Sequence, residues 1–547
     1  MARSMASTLT AWIKPAPTIT GQDHLGTQAP CESIYVEQLR GITNVTSRAR
    51  YFSFFPWFLR EFERRVASGT AEDLVRYLRR AECLFALIGI RHGLHEDEDE
   101  TLHGAGMVGR EALVPALATD DGVVHLSSHA ALESSKLRYF MNPLGGLGQY
   151  YLGPLRELGI LGGDTRTRDI RYTDPRGLRL AETFAAGSAA SKFFGLLEQD
   201  DVRVEDLDTL ALFCPCGLLH SDAERRTLIE ILLDPGRRLG DEARTRRDTL
   251  TLLLDLASRS NGGEYDLSDE FRAATYARTL VDGSPWALPA SLRGSLSPWS
   301  VYTRNELLSI AFQGLFWAAI TSAERSGSRR FVDPIDFASF ATKALLPEVF
   351  DEDDLHLQLG DIVRRRSAKL PEFGAWTNDT HEIQAGWRIT QGVRDDDIAV
   401  VARNAVDVLI ALQARAPQDD PYLSLHFAAD YFDRYPINLR SFFHRATERW
   451  TALSAEAVLR EWLVWALRTH LRVAFQKLAD ANPRDTFKVR PIEGTLVVIE
   501  PPVPVFTVPR IHRAVGLLRD LRLLADDDSG RPILTTDGTA LLEQLRG

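Results

Sequence analysis

The chain has 547 residues, of which 44% are apolar, 25% charged and 9% aromatic. This is a globular composition with room for several domains, and it excludes collagen-like, low-complexity and wholly disordered chains. The 64 basic residues stand against 75 acidic ones, a net charge of −11, so no surface coats nucleic acid or anionic lipid as a whole and any basic site is local.

The four cysteines, Cys31, Cys83, Cys214 and Cys216, are too few and too unevenly placed for a secreted disulfide framework, which points to a reducing, cytoplasmic setting. Residues 1–20 lack an apolar h-region and are interrupted by Pro15 and Pro17, so no signal peptide is expected. Residues 307–323 are uncharged but include Ser309, Gln313 and Ser322. They fall short of the ~20 apolar residues that span a bilayer, and the expectation is a buried helix and no membrane contact.

In chain order, the first unusual phrase is 39–59, where six aromatics in eight residues follow Arg48 and Arg50. Two readings stand. Either the segment enters the core, with Pro56 at a helix start and the arginines paired with acids, or Arg48, Arg50, Tyr51 and Phe52 form a stacking and phosphate-binding surface. Thr70 then opens a helix whose apolar residues recur at three and four. The glycine-containing, acidic stretch 92–109 predicts a loop or linker. His92, His95 and His103 flank its acidic run, and His125 and His129 are spaced for one helix face. Neither set has the companion Glu of an H-E-x-x-H helix, so no catalytic metal is assigned. Residues 142–148 resemble a phosphate cradle only briefly, since they lack both G-x-G-x-x-G spacing and a Gly-Lys-Ser/Thr, and they read as a turn.

Cys214-Pro215-Cys216 with His220 is a cluster of soft ligands, but structural zinc needs four and the fourth is unidentified. It reads as a small buried loop, without metal or other cofactor. Ser221 with Glu224 and Thr303 with Glu306 have capping-box spacing and predict two helix starts. Arg325, Arg329 and Arg330, the run Arg364-Arg365-Arg366 with Lys369, and Arg460, Arg468 and Arg472 read as solvated faces that could track a phosphate backbone if they converged. Residues 371–397 predict irregular chain. Residues 454–478 predict a long helix with Leu459, Leu463, Leu467, Phe475 and Leu478 inward. Residues 486–490 and 495–500 predict a hairpin around Gly494.

Two distant segments echo one another. Residues 155–161 and 518–524 each read as a helix ending in an apolar doublet, followed by a polar loop, a short strand and a Thr that starts another helix. This order resembles the second half of a winged helix-turn-helix domain. The resemblance implies a helix in the DNA major groove and a wing on phosphate. The candidate contacts are Arg156, Arg166, Arg168 and Arg171 in the first copy and Arg510, Arg513, Arg519, Arg522 and Arg531 in the second. Winged helices also dock proteins, and Glu157, Asp164, Asp169, Asp520 and Asp526 to Asp528 would repel phosphate.

The phrase 39–59, with residues 24–30 and the winged-helix-like end, resembles large bacterial proteins encoded in anti-phage defence islands. The resemblance covers about the first 60 and last 90 residues and carries no catalytic motif. It implies an antiviral defence complex with partners such as a helicase or nuclease. The expected fold is mainly α: a multi-domain helical protein with one or two winged helix-turn-helix-like modules and a small β-hairpin. Four regions are expected, at 1–110, 111–190, 191–480 and 481–547. The leading expectation is a non-enzymatic nucleic-acid-binding or adaptor subunit, with duplex DNA as candidate ligand of Arg48, Arg50, Arg156, Arg168, Arg171, Arg519, Arg522 and Arg531. A protein-binding scaffold and a metal-dependent nuclease built from distant carboxylates are the alternatives.

Overall fold

A computed structural model describes residues 23–66, 69–95, 102–118, 121–133, 136–164, 169–184, 189–259, 266–370, 382–415, 436–480 and 483–546. The protein is mainly α, with sheets of two or three short strands among the described residues. The chain separates into two compact units that interleave in sequence. Unit 1 comprises Met1–Tyr35, Glu270–Leu288 and Leu296–Val508, and unit 2 comprises Val36–Asp269, Pro289–Ser295 and Pro509–Gly547.

Unit 2 is organised around the helices Arg50–Arg65 and Ala71–His95. The first carries the aromatic phrase: Tyr51, Phe52, Phe54, Phe55, Trp57 and Phe58 are all buried. Phe54 stacks on Phe85 with ring centroids 4.1 Å apart, and Trp57 packs on Phe184 and Phe213. Six large rings fit one helix because neighbours close on it from several sides, each ring contributing of the order of 150–250 Å² of buried surface. The second helix starts as expected, with Thr70 Oγ1 accepting from the Asp73 amide at 3.1 Å.

Unit 1 is built on the long helices Ala290–Arg325, which enters it at Leu296, and Ala455–Ala479. Ser454 caps the latter by accepting from the Ala457 amide. Trp450, Trp462 and Trp465 pack with Phe312 and Phe442 in its core. The expected hairpin is present, Val489–Ile492 pairing with Thr495–Val498 through a two-residue turn in which Glu493 and Gly494 both have positive φ. Arg330–Phe331 adds a third strand on its other side. Ala290–Arg325 is, among the described residues, the one helix long and apolar enough to cross a membrane, and 89% of its apolar window is buried within the protein.

Several local expectations are corrected. The aromatic helix starts at Arg50, so Pro56 lies inside it. A helix does start after Ser221, but that side chain makes no cap; Glu224 turns inward to Ser53 and Arg50. Thr303 and Glu306 lie inside a helix, where Glu306 accepts from the Thr507 amide and pairs with Arg272 at 3.0 Å. In both places a capping-box spacing is satisfied by residues that tertiary partners have claimed. Phe475 and Leu478 are exposed. His125 lies in a strand, not on a helix face with His129. Glu382–Arg394 is helical within the stretch expected to be irregular.

Candidate functional site

The sequence echo corresponds to two helix–hairpin–helix modules in unit 2. In the first, Leu152–Glu157 leads into Leu161–Asp164 paired with Asp169–Tyr172, then Arg176–Thr183. In the second, Ile511–Asp520 leads into Leu524–Asp526 paired with Pro532–Leu534, then Thr536–Arg546. The turns match bond for bond. Ile160 donates to the Leu155 carbonyl at 2.8 Å and Leu523 to that of Leu518 at 2.9 Å. The left-handed position after each helix is Gly159 (φ 66°) in one and Arg522 (φ 57°) in the other. Thr173 Oγ1 accepts from the Gly177 amide, and Thr535 Oγ1 from that of Gly538. Both glycines are required by close approach, because a Cβ would collide with the Ile160 or Leu523 carbonyl oxygen.

Both modules grip the N-terminal phrase at one position of their turns. Glu157 accepts from the Gly41 amide and Asp520 from the Ala49 amide, each at 2.7 Å. Arg510 and Arg513 donate to the Ile42 and Asn44 carbonyls at 2.7 and 2.8 Å.

The arginines proposed for phosphate are therefore placed as follows. Arg48 is buried; it donates to the Leu102 and Ala105 carbonyls and lies 3.1 Å from Asp520. Arg50 is buried; it donates to the Leu212 and Cys214 carbonyls, lies 3.5 Å from Glu224 and sits over the Phe184 ring. Burial removes both from the stacking and phosphate-binding surface read from the sequence. Arg156 donates to the Gly163 carbonyl, Arg171 pairs with Asp169 and Arg519 with Asp526, both at 2.6 Å. Arg531 is buried and Arg522 exposed. Arg166 and Arg168 lie outside the described residues, as does the acidic run at 96–100.

Elsewhere, the triple-arginine run and the glycine turn are similarly occupied, while Arg468 and Arg472 are exposed. In unit 1, Arg365 pairs with Asp351, Asp353 and Asp354, and Arg366 with Asp354 and Asp407. In unit 2 the glycine turn that resembled a phosphate cradle holds a carboxylate of the chain itself, Glu82 accepting from the Gly146 amide at 2.8 Å and from that of Leu147. Burial pushes the Glu82 carboxyl up to about 8, against the pull of those two amides and of Arg79.

One constellation brings together residues the sequence left apart. His92 in the last turn of Ala71–His95, His103 beyond it, and Cys214 and Cys216 flanking Pro215 place one ligand atom each within 4.8 Å of the others. His92 Nδ1 lies 3.1 Å from His103 Nδ1 and 3.3 Å from Cys216 Sγ, and His103 Nδ1 lies 3.4 Å from Cys214 Sγ. The packing is close here: a Cβ at Gly89 would sit 3.1 Å from Pro215 Cδ, and one at Gly93 would sit 3.0 Å from His103 Cβ. Arg48 holds the carbonyls on both sides of His103, and Arg50 holds the loop that carries the cysteines. The Cys214 thiol and the two imidazoles pull the Cys216 thiol down, while burial pushes Cys214 up. A cavity of about 480 Å³, lined in part by His92, His103, Cys216 and His220, opens beside the four. His220 is exposed and outside the set.

Comparison with family models, with curated proteins and with solved structures finds no match to this chain.

Proposed function

We propose that the protein is a non-enzymatic adaptor that docks a protein partner through the paired modules of unit 2, modules that are winged-helix-like. The observation that carries this reading is the internal use of the arginines: most of those expected to meet phosphate serve carbonyls and carboxylates of their own unit. Phosphate affinity scales with net charge neutralised, and an arginine already paired with an acid contributes little. The second hairpin ends in Asp526, Asp527 and Asp528, two of them exposed, with Asp527 accepting from the Ser529 and Arg531 amides. That tip suits a basic protein surface and repels a phosphate backbone. The partner class implied by the likeness to defence proteins is a helicase or nuclease.

The test is isolation of the full chain with its partners before and after nuclease treatment. The reading predicts a partner retained after nuclease and weakened by Asp526→Lys with Asp528→Lys. Complete release by nuclease contradicts it.

A further inference from the structure

We propose that His92, His103, Cys214 and Cys216 bind a single Zn²⁺ ion as a structural centre that ties the end of the Ala71–His95 helix to the cysteine loop. Four observations converge. First, the donor set is two imidazoles and two thiols, the borderline-soft combination that selects zinc over hard cations. Second, the spacing fits: tetrahedral zinc with Zn–N and Zn–S bonds of about 2.0–2.1 and 2.3 Å needs ligand-to-ligand edges of roughly 3.3–3.8 Å. Three of the edges here are 3.1, 3.3 and 3.4 Å and all lie within 4.8 Å, and an inward ion expands the short ones by a few tenths of an ångström. Third, the two cysteines are buried and form no disulfide, and the cluster is reached through the adjoining cavity. Fourth, the surroundings fix the ligands: Arg48 and Arg50 hold the two ligating loops by their carbonyls, and Gly89 and Gly93 let those loops close on the helix. Four protein ligands fill a tetrahedron, which makes the centre structural rather than catalytic.

Arg48 also pairs with Asp520 of the second module. Loss of the ion therefore loosens the loop that Arg48 holds and, through it, the seat of that module.

The experiment uses the full chain purified under reducing conditions. Elemental analysis is expected to find about one zinc per chain. Replacement with Co²⁺ is expected to give the intense visible bands of tetrahedral cobalt together with a thiolate charge-transfer band. Cys214→Ser, Cys216→Ser and His103→Ala each lose the bound ion, whereas His220→Ala keeps it. If a ligand variant fails to fold, cobalt titration of the unmodified chain decides alone. Three results overturn the proposal: less than a tenth of an ion per chain that does not rise on adding Zn²⁺ to the reduced protein, an octahedral cobalt spectrum, or loss in His220→Ala equal to that in His103→Ala. Recovery of Cys214 and Cys216 as a disulfide from reduced cells overturns it as well.

Discussion

The two helix–hairpin–helix modules share a backbone plan and differ in what secures them. The first places glycine at the left-handed position and an exposed Glu157 on the N-terminal phrase, and its leading turn is anchored by the buried Glu82. The second places Arg522 at the same position and commits a buried ion pair, Arg48 with Asp520. One turn geometry is thus met by two sets of side chains. What is common to both, the apolar doublet, the capping Thr and the glycine under a carbonyl, is what the turn itself requires.

The largest expected difference is at the acids. Asp520→Ala leaves Arg48 buried without its carboxylate and is expected to cost about 3–5 kcal/mol. Glu157→Ala loses one hydrogen bond at the surface and is expected to cost about 1 kcal/mol. Chemical denaturation of both variants checks this, and equal losses break the comparison. Next come the glycines, where overpacking costs about 1–3 kcal/mol; Gly177→Ala and Gly538→Ala are expected to lower stability by similar amounts, because each Cβ meets a carbonyl in the same place. At the left-handed position the expected signs are opposite. Gly159→Ala is destabilising by about 1–2 kcal/mol, the cost of that conformation for an L-residue, and Arg522→Gly is stabilising by up to about 1 kcal/mol.

A further difference is expected in pH dependence, where the first module rests on Glu82 and the second on Asp520, whose carboxyl burial also raises. Glu82 is held up from 4.5 to about 8 by burial. Between those values the folded chain binds the proton more tightly than the unfolded chain, so this group's stabilisation is complete below 4.5 and fades as pH rises through about 8. Unfolding measured across that range is expected to show the decline, and Glu82→Gln to flatten it. In unit 1, His470 has the opposite dependence. Burial lowers His470 to about 3, with its Nε2 accepting from the Lys488 amide. Its stabilisation is present above 6.5 and is lost as pH falls toward 3.

The helical character, the hairpin around Gly494 and the echo were legible in the sequence, because periodicity, positive-φ glycine and capping Thr are local signals. The arginines were not. Arg48 finds Leu102 and Ala105 more than fifty positions away and Asp520 at the other end of the chain, and a charge beside aromatics looks the same whether it faces phosphate or a carbonyl. The metal cluster was visible in halves. The histidines near 92–103 and the C-P-C at 214–216 each lacked ligands that the other supplies from 111 and 124 positions away. Two glycines four apart on one helix, Gly89 and Gly93, were the unread sign that something packs closely there. The interleaving of the two units leaves no mark in local composition, since each joins stretches hundreds of residues apart.

The measurement that tests the account most directly is anisotropy of labelled duplex DNA titrated with the full chain across a salt series. With Arg171 paired to Asp169 and Arg519 to Asp526, the account predicts no binding that depends on Arg171 or Arg519. A steep log–log salt slope that Arg171→Glu and Arg519→Glu abolish would contradict it, because such a slope counts phosphates neutralised by those side chains.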